Sequence, residues 1–192
     1  MLVPVLPIAT ERMILRPFAP GDLDALVAIH GDERVVRYLP WGVRDRAELA
    51  GVLEEKARRT RLEREGDGLN LAGVDAETGD LVADLTLMWR SAEHRQGEVG
   101  YILHPAHEGH GYATEGARAM LALGFDGLGL HRIYGRIDAR NDASARVLER
   151  LGMRREAHLV ENEHLKGEWT DEVVYALLAR EWVTRAGGAS AP

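Results

Sequence analysis

Residues 97–125, GEVGYILHPAHEGHGYATEGARAMLALGF, constrain the fold more than any other part of the chain. An apolar strand pattern runs up to Pro105, which stops it. Glycines 109 and 111 follow, and a helical pattern opens at Tyr112. A strand that feeds a glycine turn and then a helix leaves the first N–H groups of the helix unpaired at the end of the sheet. The positive end of the helix dipole adds to them, and the glycines allow close backbone approach. Such a corner suits an anion, and a pyrophosphate in particular.

Other readings of these residues fail on spacing. His104, His107 and His110 recur every third residue, as metal ligands on one helical face would. Pro105, Gly109 and Gly111 argue against a regular helix there. HEGH is also one residue shorter than the H-E-x-x-H spacing of a helical zinc pair, so no metal is expected. GYATEGA has Ala117 where a nucleoside-triphosphate loop requires lysine. GHGYATEG misplaces the last glycine of the dinucleotide fingerprint.

The rest of the chain supplies an α/β frame. RMILRPF (12–18) alternates as a strand. GDLDALVAIH puts Leu23, Leu26, Val27 and His30 on one helical face, with Asp22 as N-cap. A second, charge-rich helix is predicted over 44–66. Two strands follow over 69–89, with a turn at Thr78–Asp80. HRIYGRIDA (131–139) reads as a strand and NDASARVLERLGM (141–153) as a helix closed by Gly152. Two final strands flank a loop near 166–171. No repeat or linker divides the 192 residues, so one domain is expected, with its core over about 10–182 and a frayed tail over 186–192.

Composition narrows the function. A formal charge of −7 argues against a nucleic-acid partner and favours a cationic substrate. The absence of cysteine excludes disulfides, thiolate metal sites and a cysteine nucleophile. MLVPVLPIAT lacks the basic region of a signal peptide, and no apolar run is long enough to span a bilayer. A cytoplasmic location without membrane contact is therefore expected.

EGHGYA (108–113) resembles the pyrophosphate loop [Q/R]-x-x-G-x-[G/A] of the GNAT superfamily of acetyl-CoA-dependent N-acetyltransferases, departing from it only at Glu108. GEVGYILHP resembles that family's central strand. NDASARVLERLGM resembles the N-x-x-S-x-x-[VL]-x-E-x-L-G-[MF] segment of its RimJ/RimL-type branch. TERMILRPFAPGDLDAL and GEWTDEVVYALLAREW resemble the opening and the ending of the same branch, so the likeness runs from about Thr10 to Trp182.

The resemblance implies a GNAT fold: a mixed, mostly antiparallel twisted sheet of about seven strands, flanked by helices and splayed at the cofactor-binding strand. It implies acetyl-CoA or coenzyme A as co-substrate, bound along Tyr101, Ile102 and Leu103 and at Gly109, His110, Gly111, Tyr112, Ala113 and Thr114, with Asn141 touching pantetheine or capping its helix. Transfer would be direct, from the thioester to an amine. Backbone N–H groups would hold the oxyanion and Ser144 would act as acid. Glu98 is the first candidate base and Asp84 the second, with a water chain and no dedicated base as the alternative. Trp41, Asp84 and Trp169 would meet the acceptor.

That acceptor is expected to be a protein N-terminal amine, with a polyamine or antibiotic as the alternative, or else no turnover in a non-catalytic acyl-CoA-binding module. Monomer and homodimer both fit. A carboxylate beside a pyrophosphate is unhelpful, so Glu108 is expected to face solvent and leave binding to the backbone.

Overall fold

The computed structural model describes the backbone of residues 1–188 and the side chains of 1–183. Elements follow in the order β1 (Ile8–Ala9), β2 (Met13–Arg16), α1 (Leu23–His30), α2 (Glu33–Val36), α3 (Arg46–Arg58), β3 (Gly68–Asp75), β4 (Leu81–Ser91) and β5 (Gln96–Leu103). Then come α4 (Tyr112–Ala122), β6 (Arg132–Asp138), α5 (Asp142–Arg150), β7 (Arg154–Leu165), β8 (Glu168–Leu178) and α6 (Ala179–Gly188). The eight strands form one sheet in the order β1-β2-β3-β4-β5-β6-β8-β7, one strand more than the seven expected because Ile8–Ala9 pairs with β2.

Every pairing is antiparallel except β5 with β6. That parallel ladder covers only Gln96–Glu98 against Arg132–Tyr134. Past it β5 stays with β4 as far as Leu103, while β6 stays with β8 as far as Asp138. The sheet opens into a V whose inner edges carry backbone groups without a strand partner.

The alternation of β4 and β5 decides which side chains enter the V. Leu85, Leu87 and Val99 are buried with Ala117, Met120 and Leu121 of α4. Ile102 packs on the opposite face with Leu26 and Ile29 of α1 and Leu53 of α3. Asp84, Thr86, Glu98 and Gly100 lie out of phase with the α4 side and so face the α1–α3 layer. Helix α4 comes close because Gly116 has no side chain, since a Cβ there would stand 2.8 Å from Leu85.

Some local expectations are corrected. The helix predicted to 66 stops at Arg58, because Leu62 is fully buried and its backbone bridges to Leu2. Asp22 does not cap α1 with its side chain; its carboxylate accepts from the Arg16 guanidinium and from Ala19 N–H. The loop expected over 166–171 shrinks to Lys166–Gly167, because Glu168, Trp169 and Thr170 pair with β7. Of the expected tail, 186–188 continue α6 and the residues beyond lie outside the described residues. No helix among the described residues is long and apolar enough to cross a membrane.

Candidate active site

The glycine corner is braced from the turn between β1 and β2, far away in sequence. Gly109 and Gly111 have φ of +80° and +88°, a region that suits glycine, and Gly111 is the N-cap of α4 without a side-chain cap. The first-turn N–H groups of Tyr112, Ala113 and Thr114 have no intrahelical acceptor. Arg12, just ahead of β2, donates to the carbonyl of His110 at 2.5 Å and pairs with Glu115 of α4 at 2.8 Å. Glu115 also accepts from Thr10 Oγ1 at 2.6 Å and from the Arg12 N–H at 2.7 Å. The Tyr112 hydroxyl donates to Asp75, and its ring lies beneath the Arg12 guanidinium at 5.0 Å.

This arrangement can hold a pyrophosphate: a glycine backbone braced by Arg12, a helix N-terminus, and a broad depression of 820 Å³ beside them that Arg12, Arg118 and Arg150 line. Arg118 and Arg150 make no ion pair among the described residues. Glu108 is exposed, and its negative charge is felt by Arg34 of α2. The imidazole of His104 accepts from Ala106 N–H, and its ring meets His107 edge-on at 5.3 Å. Among the described residues no group of three or more histidines, cysteines or carboxylates could hold a metal ion.

The V itself is a cavity of 380 Å³. Val99–Ile102 of β5 form one wall and Gly135–Asp138 of β6 the other, with Asn141, Ser144 and Leu148 of α5 beside them. A tetrahedral oxyanion placed there would meet unpaired strand N–H groups. Asn141 Oδ1 accepts from Ser144 N–H at 3.1 Å, an N-cap for α5. The Tyr101 hydroxyl donates to the Ser144 carbonyl at 3.0 Å, and burial pushes its pKa well above the ordinary phenol value. Both contacts use the backbone of Ser144, which leaves its hydroxyl for the cavity.

The cavity is also lined with charge. Its lining carries five carboxylates (Asp84, Glu98, Asp138, Glu163, Glu172) and three cations (Lys56, Arg90, Arg136), and Arg140 just outside it pairs with Asp138 at 2.6 Å, which leaves one carboxylate in excess. Asp84 is 2% exposed and accepts from Lys56 Nζ at 2.9 Å, with His30 Nε2 at 3.2 Å. Burial works to raise its pKa, but Lys56 and His30 outweigh that and hold it below the ordinary value. A carboxylate kept ionised by two partners is a poor proton acceptor.

Glu98 accepts from Arg90 at 2.7 Å and from Arg136 at 3.2 Å, so both of its oxygens are engaged. Glu172 of β8 differs. Burial raises its pKa, Arg136 at 3.3 Å opposes this, and neighbouring Glu163 adds to it. A carboxyl tuned upward inside a cleft is suited to proton transfer.

The structure thus brings Glu98, Tyr101, Ile102, Asn141, Ser144, Asp84 and Trp41 around one cavity and Gly109, His110, Gly111 and Thr114 around the corner beside it. The side chains of Leu103 and Ala113 pack into the interior, while the Ala113 N–H stays among the first-turn donors of the corner. Trp169 is 62% exposed, its ring lies against His164, and it does not line the cavity. Arg12, Glu115, Lys56, Arg136, Glu163 and Glu172 are absent from the sequence expectations. The only signal that could have flagged them is their charge on predicted strands and helices.

Comparison with known proteins agrees with this geometry. Residues 12–154 match the model of the acetyltransferase (GNAT) domain. The uncharacterized N-acetyltransferase YnaD of Bacillus subtilis is 31% identical over 91% of this chain and 98% of its own length. A crystal structure of a GNAT-family acetyltransferase from Bacillus anthracis superposes with a TM-score of 0.82 at 29% identity, covering 92% of this chain and all of that one. The spermidine N(1)-acetyltransferase of Vibrio cholerae is 30% identical over 48% of this chain and 54% of its own.

Proposed function

The chain belongs to the GNAT acetyltransferase family, and from that premise we propose that it moves acetyl from acetyl-CoA to a primary amine of a small, multiply charged acceptor of the polyamine class. The observation that carries the choice of acceptor is the slight excess of carboxylates around the cavity, which favours ammonium groups. The partial likeness to a spermidine acetyltransferase supports the same reading. The α5 segment supports a RimJ/RimL-type grouping, which would put a protein N-terminus in the same place.

Acetyl-CoA supplies the activated thioester. The glycine corner and the arginines beside it bind its phosphates, and its acyl end reaches the V. There the unpaired N–H groups of β5 stabilise the oxyanion and the Ser144 hydroxyl protonates the departing thiolate. The acceptor must lose a proton before attack. A lysine-like amine with a pKa near 10.4 is almost wholly charged at pH 7, whereas an α-amine near 8 is about a tenth neutral. A polyamine therefore needs a proton acceptor, and Glu172 is the cavity carboxyl whose environment suits it.

Thiol release from acetyl-CoA, measured across spermidine, N-terminal peptides and aminoglycosides, tests this. Turnover is expected to favour spermidine. A preference for peptides would replace the acceptor class, and silence across the whole panel would sink the reading.

A further inference from the structure

The β7–β8 hairpin and the segment after α2 face each other across the cavity. Glu163 and Leu165 line it from the hairpin, and Tyr38, Leu39 and Trp41 line it from the other side. One side chain spans the two. Lys166 Nζ donates to the carbonyls of Val36 at 2.5 Å and Arg37 at 3.2 Å. Those carbonyls close α2 and lead directly into the Tyr38–Trp41 wall. The Val36 carbonyl also accepts from Leu39 N–H at 2.9 Å, so the ammonium joins the turn that shapes this wall.

The backbone beneath Lys166 makes the residue choice informative. Lys166 and Gly167 have φ of +51° and +89° and form the whole hairpin loop. Asparagine favours the first left-handed position of such a turn, and a long side chain gains nothing from it locally. The lysine is poorly matched to the turn and well matched to the reach across the cavity. A neighbouring link runs the same way: Arg140 pairs with Glu168 at 2.8 Å and lies over the Tyr38 ring at 5.9 Å.

We propose that Lys166 is a positioning residue that holds the wall of the acceptor cavity against the β7–β8 hairpin, and so sets the affinity for the amine. The proposal rests on the reading that this cavity receives the acceptor. Because the acceptors of the ammonium are backbone carbonyls, the tie depends on the charge and length of residue 166 and not on the side chains of α2. It leaves the glycine corner untouched, so acetyl-CoA binding is not its target.

Lys166→Asn separates the tie from the turn, since asparagine suits the backbone and cannot reach α2. It is expected to raise the acceptor KM about tenfold, with the acetyl-CoA KM and the thermal midpoint unchanged. Lys166→Arg, which keeps charge and reach, is expected to stay close to the parent. Hydrogen exchange of the amides over 36–44 gives a readout independent of turnover and is expected to quicken in Lys166→Asn alone. Unchanged exchange would overturn the tie. Faster exchange with an unchanged acceptor KM would overturn its role in amine affinity. If no amine is turned over, the acceptor reading fails and this role fails with it, while the exchange result still reports whether the tie exists.

Discussion

The guanidinium of Arg12 donates to the carbonyl of His110 at 2.5 Å, so a side chain just ahead of the second strand fixes the peptide between the two loop glycines, 98 residues away. The loop has no side-chain cap of its own at Gly111. Its shape before ligand arrives therefore depends on Arg12, and on Glu115 that holds Arg12 in place. Arg12→Ala is expected to weaken coenzyme A binding about fivefold to tenfold by calorimetry, because ordering the loop then opposes binding. Its kcat at saturating acetyl-CoA should stay near the parent value. A fall in kcat without a change in affinity would show that Arg12 acts elsewhere.

Lys56 is the principal cation beside Asp84, which is almost wholly buried. Lys56→Met removes that charge and leaves Asp84 with His30 as its one remaining partner. Loss of one member of a buried pair destabilises strongly, and here about 3 kcal/mol is expected in urea unfolding. A loss under about 1 kcal/mol would mean that water screens the pair in solution.

The Tyr112–Asp75 hydrogen bond ties the first turn of α4 to the end of β3 and, with the N–H groups of Thr78 and Glu77, holds the Asp75 carboxyl at a pKa of about 2. The folded value lies below the unfolded one near 3.9, so the stability it adds is complete above pH 4 and is lost as pH falls toward 2. Tyr112→Phe is expected to reduce stability at neutral pH and to flatten the dependence between pH 4 and 2, followed by circular dichroism. Parallel acid-unfolding curves for the two proteins would refute the assignment.

Glu172 sits in the cavity with its pKa raised above the ordinary glutamate value. If it accepts the amine proton it must be ionised, so kcat/KM should rise with pH through its raised pKa. Glu172→Gln is expected to remove that acidic limb and to lower kcat about 100-fold, within the usual range for general base catalysis. A pH profile of unchanged shape would exclude Glu172 as the proton acceptor.

Much of the fold is legible in the sequence because its signals are local. Gly109, Gly111 and the helix that follows are separated by one or two residues, and their conformational demands act within that span. The N-cap at Asn141 and the left-handed Gly152 that closes α5 are equally local. Leu62 continues a helical rhythm in the sequence, while its actual partner, Leu2, lies sixty residues earlier. Trp169 was expected at the acceptor site because it falls near a predicted loop. The register of β7 with β8 turns it outward, opposite His164.

Sequence by itself determined the family, the order of the central elements and the anion-binding corner, since each is written in spacings of a few residues. Tertiary structure decided which charges meet. Glu98, Arg136 and Glu172 come from three strands, and nothing in their local patterns names the others as partners. They converge because β5 leaves β6 after Glu98 while β6 keeps its register with β8. Strand register is set by the burial of whole strand faces, a property of the assembled sheet that no single segment carries.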